Sequence, residues 1–370
     1  MHGVDHFMRL ALCQARRGEG RTRPNPAVGA VVVLDGQVIG EGYHPQAGQP
    51  HAEIFALKAA GERARGADLY VTLEPCSHYG RTGPCTEAIL AAGIRRVFVG
   101  TVDPNPLVAG QGLNRLRQGG VDVACGFLEK DCRRLIAPFA KHVTTGLPFV
   151  ILKSAVTLDG KTATSSSDSQ WITNATSRAY VHHLRDRLDA VMVGIGTVLK
   201  DDPLLTTRLP GKTGRDAMRI VVDSSLRIPS ESRMLNQTSS APTLIATTEQ
   251  ALRQRGPQLS RENVEILALP PRDGRVDLCE LLGKLGRRGV QSILLEGGAV
   301  LNHAFLKAGL IDRMMVFIAP KVIGGSDGKG IFAGQGVPLL DDAVQLEDIR
   351  IRRFEDDILV EGEVKRCSPV

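Results

Sequence analysis

The alternation of apolar and polar positions divides the chain into short strands and amphipathic helices from end to end. Residues 4–17 carry Phe7, Leu10 and Ala11 at the spacing of a helix with one buried face. Pro24 and Pro26 make residues 23–26 a turn. Val28 to Leu34 is a short apolar run, and Gln37 to Gly42 returns after Asp35-Gly36, a dipeptide that favours a tight hairpin. Residues 52–64 read as a helix burying Ile54, Leu57 and Gly61. Strands are expected at Asp68–Leu73, Arg95–Gly100 and Val121–Ala124, with helices from Pro84, near 110–118 and over 128–141. This alternation predicts an α/β/α layer pattern.

The segment Thr144-Thr145-Gly146-Leu147-Pro148 interrupts the pattern and suggests two domains, 1–145 and 146–370. Beyond it Phe149–Val156 is apolar and β-branched, and residues 164–169 are a polar loop or linker. A helix over 175–188 precedes strands at Asp189–Gly194, Ile220–Asp223, Thr243–Ala246, Val264–Leu267 and Ser292–Leu295. Another helix opens after Glu296-Gly297-Gly298 and runs to about Lys307. The last strands, Met314–Ile318, Ile349–Arg353 and Ile358–Glu363, read as antiparallel, with a Gly-rich loop at 324–336. Gly194-Ile195-Gly196-Thr197 lacks the third glycine of a dinucleotide fingerprint, so an ordinary Rossmann reading fails.

At 370 residues the chain is too long for one ordinary core, in keeping with two domains. Hydrophobic residues at 42% and charged ones at 23% argue against disorder. The net charge of +6 is spread along the chain, which favours small phosphorylated ligands over nucleic acid. Seven Cys form no regular disulfide framework and fit a cytoplasmic protein with a metal site. No leader-like apolar run opens the chain, and no run reaches the ~20 residues that span a bilayer.

The chemistry concentrates between His51 and Cys85. His51-Ala52-Glu53 stands at one expected helix start, and Pro75-Cys76 and Gly83-Pro84-Cys85 follow a strand. One imidazole and two thiolates are three zinc ligands, a number that leaves a place for water. Glu53 is then a carboxylate beside the metal, available to move protons. A thiol near a helix N-terminus is more easily ionised. Either His-x-Glu or a Cys pair alone is weak; buried small cysteines are the ordinary reading of the latter. Together, and at helix starts, they are far more specific. His44 and His78 are rival ligands, or substrate contacts, or plain loop residues.

His-Ala-Glu followed by Pro-Cys resembles the zinc-dependent cytidine deaminase superfamily, though the spacing from Cys76 to Cys85 is longer than its usual Pro-Cys-x-x-Cys. That longer loop, with Pro24-Asn25-Pro26-x-Val28-Gly29, is similar to the deaminase half of the bifunctional riboflavin-biosynthesis deaminase/reductase family. Asn25 would there face the pyrimidine. Residues 147–364 resemble that family's dihydrofolate-reductase-like domain through Lys153-Ser154-Ala155-x-Thr157-x-Asp159-Gly160, Trp171-Ile172-Thr173, Gly194-Ile195-Gly196-Thr197, Asp201-Asp202-Pro203-Leu204-Leu205 and Glu296-Gly297-Gly298. The resemblance implies a three-layer cytidine-deaminase-like domain followed by an α/β reductase domain.

It also implies residue roles. Zinc would be held by His51, Cys76 and Cys85, with Glu53 catalytic. NADPH would be lined by Ala155, Trp171, Thr197, Asp201 and Ser224, and by Gly298, Ala299, Val300, Leu301, Asn302, His303 and Ala304. Ser169, Arg185, Leu205, Arg208 and Glu296 would hold a ribose phosphate substrate. A guanidinium suits phosphate because it makes paired charge-assisted bonds. Lys153 is a further candidate, or a solvated strand-end lysine. The implied reactions are hydrolytic deamination of 2,5-diamino-6-(5-phosphoribosylamino)pyrimidin-4-one, then reduction of the ribosyl group of 5-amino-6-(5-phosphoribosylamino)uracil to ribityl. No general acid for the reduction is legible in the sequence, nor is a preference for NADPH over NADH. Related proteins suggest a homo-oligomer, dimer or tetramer. Two alternatives compete: a tRNA or other nucleic-acid deaminase with an appended binding domain, and a structural zinc module that recruits partners.

Overall fold

A computed structural model describes residues 3–79, 83–255 and 261–365 and divides the chain into two compact units, Met1–Gly146 and Leu147–Val370. Gly80, Arg81 and Thr82, in the middle of the loop between Cys76 and Cys85, lie outside the described residues.

In the first unit the strands are β1 (Gly29–Leu34), β2 (Gln37–Tyr43), β3 (Asp68–Leu73), β4 (Arg96–Thr101) and β5 (Asp122–Cys125). They form one sheet in the order β2-β1-β3-β4-β5. Asp35 and Gly36 both take positive φ in the β1–β2 turn, as the hairpin requires. The helices are α1 (Val4–Arg16), α2 (Ala52–Ala60), α3 (Cys85–Ala91), α4 (Gln111–Gln118) and α5 (Glu129–Thr145). Phe7, Met8, Ala11 and Leu12 of α1 pack with Val31, Val33, Tyr70 and Cys132 in one core cluster. Ala52, Ala56 and Leu57 of α2, Ile89 of α3 and Leu113 of α4 pack with Val32, Val71 and Val99 in the other. Two cores, one sheet between them, give three layers.

The expected helix over 52–64 is shorter and turned differently. α2 ends at Ala60, a 3-10 turn covers Gly61–Ala64, and Ile54 is only half-buried while Gly61 is exposed. The inward face is Ala52, Glu53, Ala56, Leu57 and Ala60. Small residues are needed there because the helix lies directly on β2: a Cβ on Gly42 would fall 2.3 Å from the Ala52 carbonyl oxygen.

In the second unit β6 (Phe149–Thr157), β7 (Ala190–Gly194), β8 (Met218–Val222), β9 (Thr243–Thr248) and β10 (Val264–Leu269) are followed by a two-residue hairpin pair, β11 (Pro271–Arg272) and β12 (Arg275–Val276). β13 (Ser292–Leu295), β14 (Arg313–Ala319), β15 (Leu346–Phe354) and β16 (Asp357–Val364) complete the strands. Nine of them form a sheet in the order β10-β9-β8-β7-β13-β6-β14-β16-β15. It is parallel from β10 through β14 and antiparallel at β16 and β15. The helices are α6 (Ala175–Arg187), α7 (Ile195–Asp201), α8 (Glu249–Arg255), α9 (Leu278–Arg287) and α10 (Ala299–Lys307). The buried strands Val150–Leu152, Ala190–Val193 and Ile293–Leu295 form its centre. Among the described residues no helix is long and apolar enough to cross a membrane.

Candidate active site

Local structure brings the first constellation together. His51 is the N-cap of α2 and Cys85 the first residue of α3, whose N-cap is Pro84. Cys76 lies in the loop after β3 rather than at a helix start, but its sulfur accepts the Cys85 backbone N–H at 3.3 Å. The His51 Nδ1 stands 3.5 Å from the Cys76 sulfur and 3.3 Å from that of Cys85. All three ligand atoms lie within 4.8 Å of one another, the one such group among the described residues. Tetrahedral zinc with bonds of about 2.3 Å to sulfur and about 2.0 Å to nitrogen sets nitrogen and sulfur about 3.5 Å apart, so the spacing fits that ion. The Cys85 thiol, donating to Cys76, is the main cause that holds the Cys76 thiol down at about 4, with His51 and the Cys85 amide assisting. His51 in turn is raised, chiefly by its bond to Cys76.

A pocket of about 420 Å³ opens over this group, lined by Asn25, His44, Glu53, His78, Asp103 and Asn105 among others. Two buried carboxylates reach it, and they differ. Glu53 is 3% exposed and its Oε2 has no hydrogen-bond partner. Burial raises its carboxyl to about 7. Glu74, 6% exposed, accepts four backbone N–H groups, from Asp103, Gly110, Gly112 and Leu113. The sequence did not single out Glu74: its partners stand 29 to 39 residues further along and are backbone groups. His44 is not a metal ligand here. Its Nδ1 lies 3.0 Å from the Pro50 carbonyl oxygen and its Nε2 3.0 Å from the Asn25 amide.

The second constellation lies at the carboxyl ends of the central parallel strands, where open α/β sheets bind ligands. Register sets Leu295 beside both Leu152 and Met192, so Glu296 follows next to Lys153. Arg185 of α6 grips Glu296 through two bonds, 2.7 and 3.0 Å, and donates a third to the Thr206 carbonyl at 3.1 Å. The Lys153 ammonium is 3.9 Å from Glu296 and largely buried, which contradicts the solvated-lysine reading. Burial pushes the Glu296 carboxyl up, but Arg185 and Lys153 outweigh it and hold it at about 2. Burial, then Arg185 and Arg208, push His182 down to about 4. Its Nδ1 accepts the Arg208 backbone N–H at 3.2 Å. Arg208 is exposed, bonded through Nη1 to Thr206 Oγ1, and lowered by burial and by the charges of Arg185 and Arg233. Such crowding of cations favours an anion.

The other residues expected to line cofactor or substrate sit on several elements of this unit. α10 begins at Gly298 with no side-chain cap, and Thr197 sits beside it, its Oγ1 3.3 Å from where a Cβ on Gly298 would be. An uncapped helix start flanked by glycine fits a pyrophosphate. Ala299 and Val300 stand in its first turn, with Val300 exposed, whereas Leu301 and Asn302 turn into the core. Asn302 there bonds the Ile331 carbonyl. His303 and Ala304 lie a turn further on, half-buried. Ala155 is on β6 and Asp201 ends α7. Trp171 is 61% exposed beneath the Arg178 guanidinium rather than in the core. The Ser224 hydroxyl accepts the Val276 N–H, Ser169 accepts from Lys200, and Leu205 is buried.

Comparisons with known proteins agree across both units. Residues 1–101 match the cytidine and deoxycytidylate deaminase zinc-binding region, and residues 148–360 match the RibD C-terminal domain. The chain is 43% identical to the riboflavin biosynthesis protein RibD of Actinobacillus pleuropneumoniae, over 96% of this chain and 94% of that one. It is 42% identical to the Aquifex aeolicus protein of the same description, over 96% and 97%. A Thermotoga maritima diaminohydroxyphosphoribosylaminopyrimidine deaminase/5-amino-6-(5-phosphoribosylamino)uracil reductase superposes with a TM-score of 0.83 at 37% identity, covering 98% of each chain.

Proposed function

The chain belongs to the RibD family of riboflavin biosynthesis proteins, and on that premise we propose which of its residues carry each reaction. It is a bifunctional enzyme, a zinc-dependent deaminase and an NADPH-dependent reductase. The nucleic-acid deaminase alternative loses its appended binding domain, since residues 148–360 match the RibD C-terminal domain instead.

For deamination, the metal would be held by His51, Cys76 and Cys85. Its contribution is to lower the pKa of water so that a nucleophile is available at neutral pH. The rest falls to the pocket. Glu53 is placed to take one proton from water through its unpartnered Oε2 and give it to the ring nitrogen, then to take a second from the hydroxyl of the adduct and give it to the leaving amine, which departs as ammonia. Water and the diaminopyrimidine phosphate thereby become 5-amino-6-(5-phosphoribosylamino)uracil and ammonia. Asn25 and Asp103 offer polar groups to the ring.

For reduction, the start of α10 and Thr197 would hold NADPH, which when bound would supply the hydride for the ribosyl C1 as the sugar opens to a ribityl chain. Arg208, whose guanidinium has donors to spare, takes the substrate phosphate; Arg185, occupied by Glu296 and Thr206, holds the floor of the site. Lys153, buried in the middle of β6 and 3.9 Å from Glu296, is placed to hold the proton that the opening sugar oxygen requires.

The chain assembles as a homo-oligomer in this reading and resides in the cytoplasm. The first rests on the sheet's edge strand β15, where Ile349 and Ile351 are 50% and 68% exposed, and on Leu339 and Leu340 of the preceding segment, also exposed. The second rests on the free thiols, Cys13, Cys125 and Cys279 among them.

The observation that carries the whole reading is the His51, Cys76 and Cys85 group with a buried, unpartnered carboxylate oxygen beside it. The test is to give the purified protein the diaminopyrimidine phosphate and NADPH, and to follow ammonia release and loss of reduced-cofactor absorbance. A chelator and Glu53→Gln should each abolish the first, and Glu53→Gln should keep the metal and reduce supplied uracil phosphate normally. Undiminished ammonia release by Glu53→Gln would remove Glu53 from the mechanism.

A further inference from the structure

We propose that Glu74 is a positioning residue for the deaminase, fixing the substrate-facing wall of the pocket against the metal-ligand segment. The inference rests on the deaminase reading of that pocket. Glu74 lies two residues before Cys76, at the end of β3, and its own backbone N–H bonds the Thr101 carbonyl at 2.9 Å. Its carboxylate then reaches across to the segment after β4. Oε2 accepts the N–H groups of Asp103 at 3.1 Å and Gly110 at 2.9 Å. Oε1 accepts those of Gly112 at 2.8 Å and Leu113 at 3.3 Å, in the first turn of α4.

The segment between these anchors carries its own links. Asp103 Oδ1 accepts the Asn105 N–H at 2.8 Å, and Asn105 Oδ1 accepts the Leu107 N–H at 3.1 Å. Residues 103–113 are thus a loop closed on one carboxylate, and Asp103, Asn105 and Val108 of this loop line the pocket. The approach is tight: a Cβ on Gly112 would fall 2.0 Å from the Pro75 carbonyl oxygen, so the start of α4 is pressed on the peptide that leads into Cys76. With four donors on two oxygens, Glu74 has little capacity left for metal or proton. Its chemistry is to accept N–H bonds as an anion, which makes each of them stronger than a neutral bond. A neutral amide cannot replace it, because a glutamine NH₂ would face two N–H donors.

The wall, not the metal, should feel its loss. In the full-length protein Glu74→Gln should keep its zinc, raise the deaminase KM by about tenfold or more, and change kcat by less than about threefold. Glu74→Asp retains the charge but retracts it by one methylene, and should fall between. The coupling should also be visible against the wall: Glu74→Gln combined with Asn105→Ala should cost less in kcat/KM than the product of the two single losses. The reductase KM of the same samples is the internal control and should not move. If Glu74→Gln is insoluble, Glu74→Asp alone decides by the same KM criterion. An unchanged KM, independent effects of Glu74 and Asn105, or loss of zinc with retention of KM would each overturn the proposal. Absence of deamination in the unaltered protein would instead overturn the reading on which it rests.

Discussion

Replacing Glu296 by glutamine removes the charge at the centre of the reductase edge while leaving its size unchanged. The carboxyl is 10% exposed and bonded twice to Arg185, with Lys153 at 3.9 Å. Its displacement from 4.5 to about 2 corresponds to about 3 kcal/mol, at about 1.4 kcal/mol per pH unit. Breaking one partner of a buried pair costs a similar ~3–5 kcal/mol. The sign follows from the depressed carboxyl: its contribution is full above the ordinary value and is lost as pH falls from 4.5 towards 2. The Glu296→Gln protein should therefore be about 3 kcal/mol less stable at pH 7, and the gap should close progressively below pH 4.5 as the unfolded form of the unaltered protein takes up a proton that the folded form does not. Urea unfolding of the full-length protein, followed by emission of Trp171, the chain's single tryptophan, reports on the reductase half. A deficit under about 1 kcal/mol at pH 7, the level of an exposed pair, or one that stays constant from pH 7 to pH 3, would refute the buried-pair account.

Arg208→Ala should raise the reductase KM by about tenfold or more through loss of a charge-assisted phosphate contact and leave deamination unchanged; steady-state kinetics of both reactions on one preparation checks this. Loss of both activities would mean the two halves are not separable. Ile351→Lys on β15 should lower the assembled mass measured by light scattering, and an unchanged mass would place the contact elsewhere.

Much of this was legible from residue order because the chemistry is tied to element starts. His51 and Cys85 stand where α2 and α3 begin, so proline, polarity and periodicity betray their neighbourhood. Both sheets follow from apolar runs punctuated by glycine and proline. The three-layer first half and the reductase-like second half, and their zinc and NADPH chemistry, came from motifs that the family matches support. What stayed hidden is long-range pairing. Arg185 and Glu296 are 111 residues apart, and nothing local says that one occupies the other. Glu74 carries no signal in the sequence because backbone donors leave no side-chain signature. Periodicity finds Leu57 on the inward face of α2 but not the rest of that face, because Glu53, a charged residue, is buried while Ile54 is half-buried and Gly61 exposed. A polarity pattern assigns the functional carboxylate to solvent, and only its neighbours reverse that.

Deamination depends on a single metal ion in a shell that the protein closes on three sides. X-ray absorption at the zinc edge, on freshly purified active protein, reads that shell. The prediction is one zinc per chain with two sulfur scatterers, one imidazole and one further light atom. A protein that deaminates without bound zinc, or a shell completed by a third sulfur or by a second imidazole such as His44 or His78, would contradict it.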